Sequence, residues 1–166
     1  MCKVPGKVSL VTGGSRGIGS AIVEKLAKNG SNVAFTYLSS PEKAQELISK
    51  LEIYPVKIRA YASDASNHQA SKDLITQVVA DFGGLDILVN NAGITKDNLL
   101  MRMTEEQWDQ VMNINLKSAF NLTKFAVTQM MRQRSGSIIN ITSVVGIFGN
   151  AGQANYAASK AGMIGF

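Results

Sequence analysis

Thr12-Gly13-Gly14-Ser15-Arg16-Gly17-Ile18-Gly19 is the stretch of this sequence that decides the fold. It follows a short β-branched run, Val8–Val11, and leads straight into a helical pattern of apolar residues. A strand, a glycine-rich turn and a helix in this order form the phosphate-binding half of a dinucleotide fold. We expect Gly13 to make a tight turn, Gly17 to let a pyrophosphate approach, and Gly19 to let the helix pack close to its strand. A purely structural turn is the alternative.

The bulk composition is typical of one globular domain spanning residues 1–166, with 45% hydrophobic and 17% charged residues. The single cysteine, Cys2, cannot form an internal disulfide bond, and the first residues lack the apolar core of a signal peptide. There is no run of roughly 18 apolar residues, so no membrane span is expected. The composition therefore predicts a soluble, cytoplasmic protein, and no metal site is predicted.

The net charge is +5, with basic residues scattered along the chain and a small basic cluster at Arg132 and Arg134. No long basic run or aromatic RNA-binding motif accompanies it, so no nucleic acid partner is expected. A solvated basic surface explains this charge. The alternative is attraction for anionic ligands, namely a phosphorylated cofactor and an acidic partner.

Five strand-like segments alternate with helical patterns, which predicts an α/β fold with a parallel, doubly wound (Rossmann) sheet in three αβα layers. The strands are expected at residues 8–11, 32–37 and 56–61, from residue 85 to a polar turn at 90–93, and at 137–143. A capping box at Ser66–Gln69 predicts a helix to about Phe82. A second box, Thr104 with Gln107, predicts a helix of about 45 Å reaching to about Arg132. Its apolar surplus indicates deep packing or a partner subunit.

The end of the second strand indicates which dinucleotide binds. An acidic residue there would bind the 2′-hydroxyl of NAD, but residues 36–40 contain none before Glu42. Arg16, in the glycine turn, is placed to reach a 2′-phosphate, so the sequence favours NADP over NAD. A solvated turn residue is the alternative for Arg16.

Polar residues also follow the third and fourth strands. Asp64 could accept a hydrogen bond from an adenine amine, and a turn or capping role is the alternative. The asparagines Asn90 and Asn91 are of a type that fixes loop backbone at the edge of the site, and a plain turn would also explain them. His68, the single histidine, is expected to be exposed and structural, with no catalytic role.

Tyr156 and Lys160 are four residues apart on a predicted helix, so they share one face. An ammonium group near a phenol stabilises the phenolate, which makes tyrosine a usable proton donor. Ser143, at the predicted end of the fifth strand, can donate a hydrogen bond to a carbonyl oxygen. A Tyr-x3-Lys pair is common by chance, but in a chain that opens with a nucleotide loop it favours hydride transfer to a carbonyl.

These motifs, in this order and spacing, resemble the short-chain dehydrogenase/reductase family over all 166 residues. They are Thr-Gly-x3-Gly-x-Gly at 12–19, Asn-Asn-Ala-Gly at 90–93, and the serine and Tyr-x3-Lys just described. The resemblance implies that Asn115, Ser143, Tyr156 and Lys160 are catalytic, with Asn115 holding a water that connects Lys160 to solvent. The residues it assigns to cofactor binding are Gly13, Ser15, Arg16, Gly17, Ile18, Gly19, Asp64, Ala65, Asn91, Ala92, Gly93, Tyr156 and Lys160.

Within that family, residues 90–103, 143–146 and 149–156 are most similar to bacterial 3-oxoacyl-acyl-carrier-protein reductases. The resemblance implies NADP(H) as cofactor, a 3-oxoacyl group on acyl carrier protein as substrate, and a homotetramer. Arg132 and Arg134 would then contact the acidic carrier, a solvated helix end being the alternative. Gly14 stands where alanine is more usual. Because the chain stops inside an apolar helical run, at Phe166, we expect a longer natural chain and an inactive 166-residue fragment.

Two other functions are compatible with these motifs. One is reduction of a different carbonyl, such as an acyl-CoA, a sugar or a steroid, by the same chemistry. The other is a non-catalytic dinucleotide-binding module, which would have no use for the proton donor at Tyr156.

Overall fold

The computed structural model describes residues 4–166, so Cys2 lies outside the described residues. Its centre is a sheet of five parallel strands in the order β3-β2-β1-β4-β5. The strands are β1 Val8–Val11, β2 Asn32–Tyr37, β3 Ile58–Ala62, β4 Ile87–Asn90 and β5 Ser137–Asn140. Leu10 of β1 pairs with Ala34 on one side and Leu88 on the other. The chain therefore runs outward from β1 to β3 and then crosses back, so the doubly wound prediction is confirmed.

The helices cover both faces of this sheet. They are α1 Gly17–Lys28, α2 Pro41–Leu51, α3 His68–Phe82, α4 Glu105–Val111, α5 Ser118–Gln133, α6 Val145–Phe148 and α7 Ala154–Gly165. A π-helical segment, Met112–Lys117, joins α4 to α5, and a short 3₁₀ turn occupies Leu100–Arg102. None of the helices within residues 4–166 has the length and apolar character needed to cross a bilayer.

Alternate residues of the strands face two separate cores. Leu10 and Leu88 pack with side chains of α3 and α5, including Leu74, Val78 and Leu122. Val11 and Val89 point the other way, toward α1 and α2, and pack with Val23, Leu47 and Leu51. Burying each such side chain contributes about 1.5–3 kcal/mol. The three-layer arrangement follows from this alternation, because the inner strands are apolar on both faces.

Several predicted boundaries are wrong by a few residues. β3 begins at Ile58, two residues late, because the amide of Lys57 donates to the Asn32 side chain. β5 ends at Asn140, so Ser143 lies in the following loop. The capping box at Ser66–Gln69 is also wrong: Asn67 caps α3 by accepting from the amide of Ala70, since the Ser66 hydroxyl donates to Asp64.

The long helix is confirmed at its start and different in its middle. The Thr104 side chain accepts from the amide of Gln107, whose side chain accepts from the amide of Thr104, so this capping box is present. The helix then widens to π geometry at 112–117 before α5 begins. Val111 of this stretch is buried, as deep packing requires, whereas Phe120 is 45% exposed, and contact with a partner subunit stays a prediction.

Candidate functional site

The predicted site residues meet at a cleft along the carboxyl ends of the strands. Its volume is about 660 Å³, and it lies where the strand order reverses between β1 and β4, the usual ligand position in open parallel sheets. The predicted residues that line it are Gly13, Ser15, Arg16, Gly17, Ile18, Gly19, Asp64, Ala65, Asn91, Ala92, Gly93, Tyr156 and Lys160. Asn115 and Ser143 lie beside this lining: Ile114 and Thr142, their chain neighbours, are part of it.

The glycine turn connects β1 to α1 and forms part of the cleft lining. Gly13 and Gly17 have φ of +61° and +57°, left-handed values that favour glycine. At Gly17 the space that a Cβ would take is open, so backbone there is accessible to a ligand. The amides of Gly13 and Gly14 bond back to Thr36 of β2. The turn is thus fixed with the start of α1, which has no acidic residue in its first turn, facing the cleft.

The structure refines the role predicted for Gly19 and explains the glycine at position 14. A Cβ on Gly19 would collide with the carbonyl oxygen of Gly13 and lie 2.7 Å from Asn91 Nδ2, so this glycine lets α1 approach the turn rather than the strand itself. A Cβ on Gly14 would lie 2.6 Å from the Cβ of Phe35, a fully buried side chain of β2. Phe35 therefore accounts for glycine at a position where alanine is more usual.

Thr12 and Asn91 join the glycine turn to the end of β4. The Thr12 hydroxyl accepts from the amides of Asn91, at 2.9 Å, and Ala92, at 2.8 Å. Asn91 Nδ2 returns a bond of 2.8 Å to the carbonyl of Thr12. The predicted role of asparagine in fixing this loop is thus present for Asn91. Asn90 also bonds within the structure, through Nδ2 to Thr123 and Asn140.

Asp64 has the predicted turn role and also lines the cleft. Its Oδ1 accepts from both the amide and the hydroxyl of Ser66, at 2.9 and 2.7 Å. His68, just beyond, is exposed as expected, and its Nδ1 lies 3.0 Å from Oδ1 of Asn121. The sequence did not point to Asn121, which lies on α5 more than 50 positions away.

Asn115 is fully buried in the π-helical segment and holds the opposite wall of the cleft. Its Oδ1 accepts from the amide of Ile94 at 2.8 Å, and its Nδ2 donates to the carbonyl of Ile94 and to the hydroxyl of Ser159. A Cβ on Gly93 would lie 3.2 Å from Asn115 Oδ1 and 3.6 Å from Lys160 Nζ. Any side chain larger than that of glycine at position 93 would therefore crowd both Asn115 and Lys160.

Helix α7 presents Tyr156 and Lys160 together to the cleft. One face of α7 is anchored through Asn155, which donates to the carbonyls of Lys96 and Gln107. Tyr156 and Lys160 occupy the adjacent face, with Lys160 Nζ 5.7 Å from the centre of the tyrosine ring. Lys160 is buried, and loss of hydration lowers the pKa of its ammonium group. Ser143 accepts from the amide of Val145 at 3.2 Å.

A dinucleotide fits these residues. The left-handed glycines and the free start of α1 suit a pyrophosphate, and the buried cation with its neighbouring phenol lines the same cleft. Residues 4–166 contain no cluster of three or more side chains of the kinds that commonly bind metals. Fold and site together define a dinucleotide-binding α/β domain with a Tyr–Lys pair.

The chain belongs to the short chain dehydrogenase family, whose pattern it matches over residues 7–166. It is 52% identical over 159 residues to the 3-oxoacyl-[acyl-carrier-protein] reductase FabG of Staphylococcus epidermidis RP62A, covering 96% of this chain and 65% of that protein. The FabG reductase of Thermotoga maritima is 47% identical over 163 residues, with 98% and 66% covered. The chain thus spans about two thirds of the length of these relatives.

A solved structure agrees. A Sinorhizobium meliloti 1021 protein assigned to the short-chain alcohol dehydrogenases superposes with a TM-score of 0.94 at 34% identity, covering 98% of this chain and 64% of that one. The fold and the family are therefore established by sequence and structure alike.

Proposed function

We propose that the protein reduces 3-oxoacyl groups carried on acyl carrier protein to 3-hydroxyacyl groups, with NADPH as the reductant. The observation that carries this proposal is the cleft itself, which is lined both by the glycine turn and by the Tyr156–Lys160 pair. The names of the similar reductases support the substrate class. Because the chain spans only part of their length, activity, substrate and partners are all included in the proposal.

The reaction needs a hydride at the carbonyl carbon and a proton at the carbonyl oxygen. Bound NADPH supplies the hydride. Tyr156 donates the proton from its hydroxyl, and Ser143 donates a hydrogen bond that orients the oxygen. The Lys160 ammonium stabilises the negative charge that develops on the Tyr156 oxygen. The products are the 3-hydroxyacyl group and the oxidised cofactor, so electrons and protons balance.

The tyrosine must then regain its proton. Lys160 is too buried to exchange freely with bulk water, so a relay through the protein is required. Asn115 is the proposed next member, because its side chain and Lys160 Nζ both lie close to Gly93. Since both amide atoms of Asn115 already bond to Ile94 and Ser159, its side chain acts by holding the wall along which a water would bind.

The preference for NADPH is part of the proposal. Arg16 occupies the N-cap position of α1 with its side chain exposed and making no capping bond, and it lines the cleft together with residues 37–40 at the end of β2. Those residues carry no carboxylate that would repel a 2′-phosphate or hold a 2′-hydroxyl. A guanidinium there suits a phosphate because it can donate two parallel hydrogen bonds.

Partner binding is proposed on surface features. Arg132 and Arg134 are exposed at the carboxyl end of α5, where an acidic carrier protein would find positive charge. A homotetramer is proposed on the exposed aromatic surface of the long helix, where Trp108 and Phe120 stand partly in solvent.

The test is oxidation of NADPH by the full-length gene product with an acetoacetyl thioester of acyl carrier protein. We expect turnover, and we expect Tyr156→Phe to lose it by roughly 10²–10⁴-fold while still binding NADPH. Tyr54→Phe, outside the cleft lining, is the matched control. Binding of NADPH without turnover by the unmodified protein would instead identify a non-catalytic module, and an active Tyr156→Phe would refute the proposed proton donor.

A further inference from the structure

The turn after β3, residues 63–66, lines the cleft at the end away from Tyr156. We call it the Asp64 turn. Two hydrogen bonds from Ser66 to Asp64 fix this turn locally. The turn is also held from α5, since Asn121 Nδ2 donates to the carbonyl oxygens of Ala65, at 3.1 Å, and Ser66, at 3.0 Å.

The environment of Asn121 fixes which way its amide points. Asn121 is fully buried, and both hydrogens of its Nδ2 are directed at carbonyl oxygens, which only accept. Its Oδ1 must therefore face His68, whose Nδ1 lies 3.0 Å away. Because an amide oxygen cannot donate, the Nδ1 of His68 must carry a hydrogen. The His68 ring is itself held against Phe125, with ring centres 4.9 Å apart.

Asn121 and Asn115 make a matched pair on one continuous helical stretch. Each is fully buried, and each directs its side chain at the backbone of a cleft wall. Asn115 holds Ile94 near Lys160, and Asn121 holds Ala65 and Ser66 at the far end. Nothing local in the sequence marks Asn121, since its partners are 53 to 56 positions away.

We propose that Asn121 is a positioning residue for the adenine end of the dinucleotide, and that the Nδ1–H of His68 sets the orientation of its amide. Asn121 does not line the cleft, so it acts through the Asp64 turn. His68, which the sequence predicts to be structural, thus has a defined role, which is to orient the Asn121 amide. The inference rests on the proposed function only in requiring that the cleft bind NADPH.

The first experiment uses the unmodified protein, purified without a polyhistidine tag. His68 is the single histidine, so long-range ¹H–¹⁵N spectra of its ring are unambiguous. We expect the neutral ring to be protonated at Nδ1, and its resonance to shift when 2′,5′-ADP is added. Protonation at Nε2 would overturn the inference, because the Asn121 amide would then be reversed and could not bond to both carbonyls.

The second experiment compares two amide-to-acid substitutions. Asn121→Asp keeps the shape of the side chain but places an oxygen against two carbonyls. Gln133→Glu is the matched control, since Gln133 also lies on α5 and bonds to the backbone amide and carbonyl of Leu85, away from the cleft. We expect Asn121→Asp to raise the Kd of NADPH and of 2′,5′-ADP about tenfold, with kcat at saturating NADPH within about twofold.

The outcomes are distinguishable. Equal losses of thermal stability with unchanged Kd in both variants would show that Asn121 is only structural and would overturn the inference. A fall in kcat without a change in Kd would also overturn it. If the unmodified protein binds no NADPH, the proposed function fails first, and the tautomer of His68 still reports on the orientation of Asn121.

Discussion

Lys160 donates a hydrogen bond of 2.7 Å from its Nζ to the carbonyl oxygen of Ile141, in the loop that follows β5. The same loop holds the backbone of Lys160, since Thr142 Oγ1 donates to its carbonyl at 3.0 Å. Lys160 is thus held at its Nζ and at its backbone carbonyl by two consecutive residues, with Nζ 5.7 Å from the centre of the Tyr156 ring. A buried cation so placed stabilises a phenolate, and the loss of its hydration lowers the stability of the folded protein.

Lys160→Met tests both consequences. Burial lowers the pKa of Lys160 below its usual 10.5, so the unfolded chain binds more protons between the two values and stability rises with pH there. Below the folded-state pKa of Lys160 the full penalty of burying the charge is present. We expect the variant to lose turnover by at least about 100-fold, and its stability relative to the unmodified protein to be highest near pH 7 and to decline toward pH 10.

Urea unfolding at several pH values between 7 and 10 measures this relative stability. Lys50→Met, on exposed surface of α2, is the control for removing a lysine. A stability difference that does not change with pH would contradict the burial effect on the pKa.

Sequence reasoning predicted the frame of the fold and the lining of the cleft because both depend on local patterns. Strands β1 and β2 were predicted at their observed bounds, since each is a β-branched or aromatic run closed by a turn. The π-helical segment was missed. Its extra residue per turn accompanies contacts of Asn115 with Ile94 and Ser159, which no periodicity within the helix records.

The same distinction applies to the site. Glycines and the Tyr-x3-Lys pair are visible by their spacing, but the groups that orient them are distant in sequence. The bond from Lys160 to Ile141 is made by a backbone carbonyl, so the identity of residue 141 does not reveal it. The Asn121–His68 contact joins two polar residues that are 53 positions apart, and neither belongs to a recognisable motif. The N-cap of α3 was misplaced because Ser66 and Asn67 are both capping residues, and only the structure shows Ser66 occupied by Asp64.

Arg16→Met tests the choice of cofactor. Loss of a charge-assisted contact to a 2′-phosphate costs about 1.5–3 kcal/mol, so the Kd of NADPH should rise roughly 10–100-fold. The Kd of NADH, which lacks that phosphate, should change little. Fluorescence titration of both cofactors measures the ratio, with Lys28→Met at the other end of α1 as control. An equal rise in the Kd of both cofactors would show that Arg16 attracts the dinucleotide as a whole and does not contact the 2′-phosphate specifically.

Thr12→Val tests the link between the glycine turn and β4. The substitution keeps the shape but leaves the amides of Asn91 and Ala92 without their acceptor. An unsatisfied buried donor costs about 1–3 kcal/mol, so we expect a lower free energy of unfolding and weaker binding of NADPH. Thr12→Ser, which retains the hydroxyl, should stay close to the unmodified protein. If Thr12→Ser is destabilised and Thr12→Val is not, packing of the methyl group is responsible and the hydrogen bonds of the hydroxyl are not.

Gly14→Ala tests the packing of the turn against Phe35. The added Cβ would meet Phe35 Cβ at 2.6 Å and Val23 Cγ2 at 3.0 Å, both in the core. Overpacking of this kind costs about 1–3 kcal/mol. Gly165→Ala, where an added Cβ meets nothing within 4 Å, should be neutral or slightly stabilising. Thermal unfolding compares the two, and a neutral Gly14→Ala would show that the turn relaxes.

Arg134→Gly separates stability from partner binding. Arg134 ends α5 with φ of +53°, a left-handed value that is unfavourable for arginine and natural for glycine. We expect the variant to unfold with a free energy about 1 kcal/mol higher, yet to have a raised KM for a thioester on acyl carrier protein and an unchanged KM for the same thioester on coenzyme A. Arg132→Gly, at a helical position, should instead lose about 1 kcal/mol. A stabilised variant with an unchanged KM for the carrier-bound substrate would leave Arg134 as a solvated helix end, because a residue that steers an acidic partner must change that KM when its charge is removed.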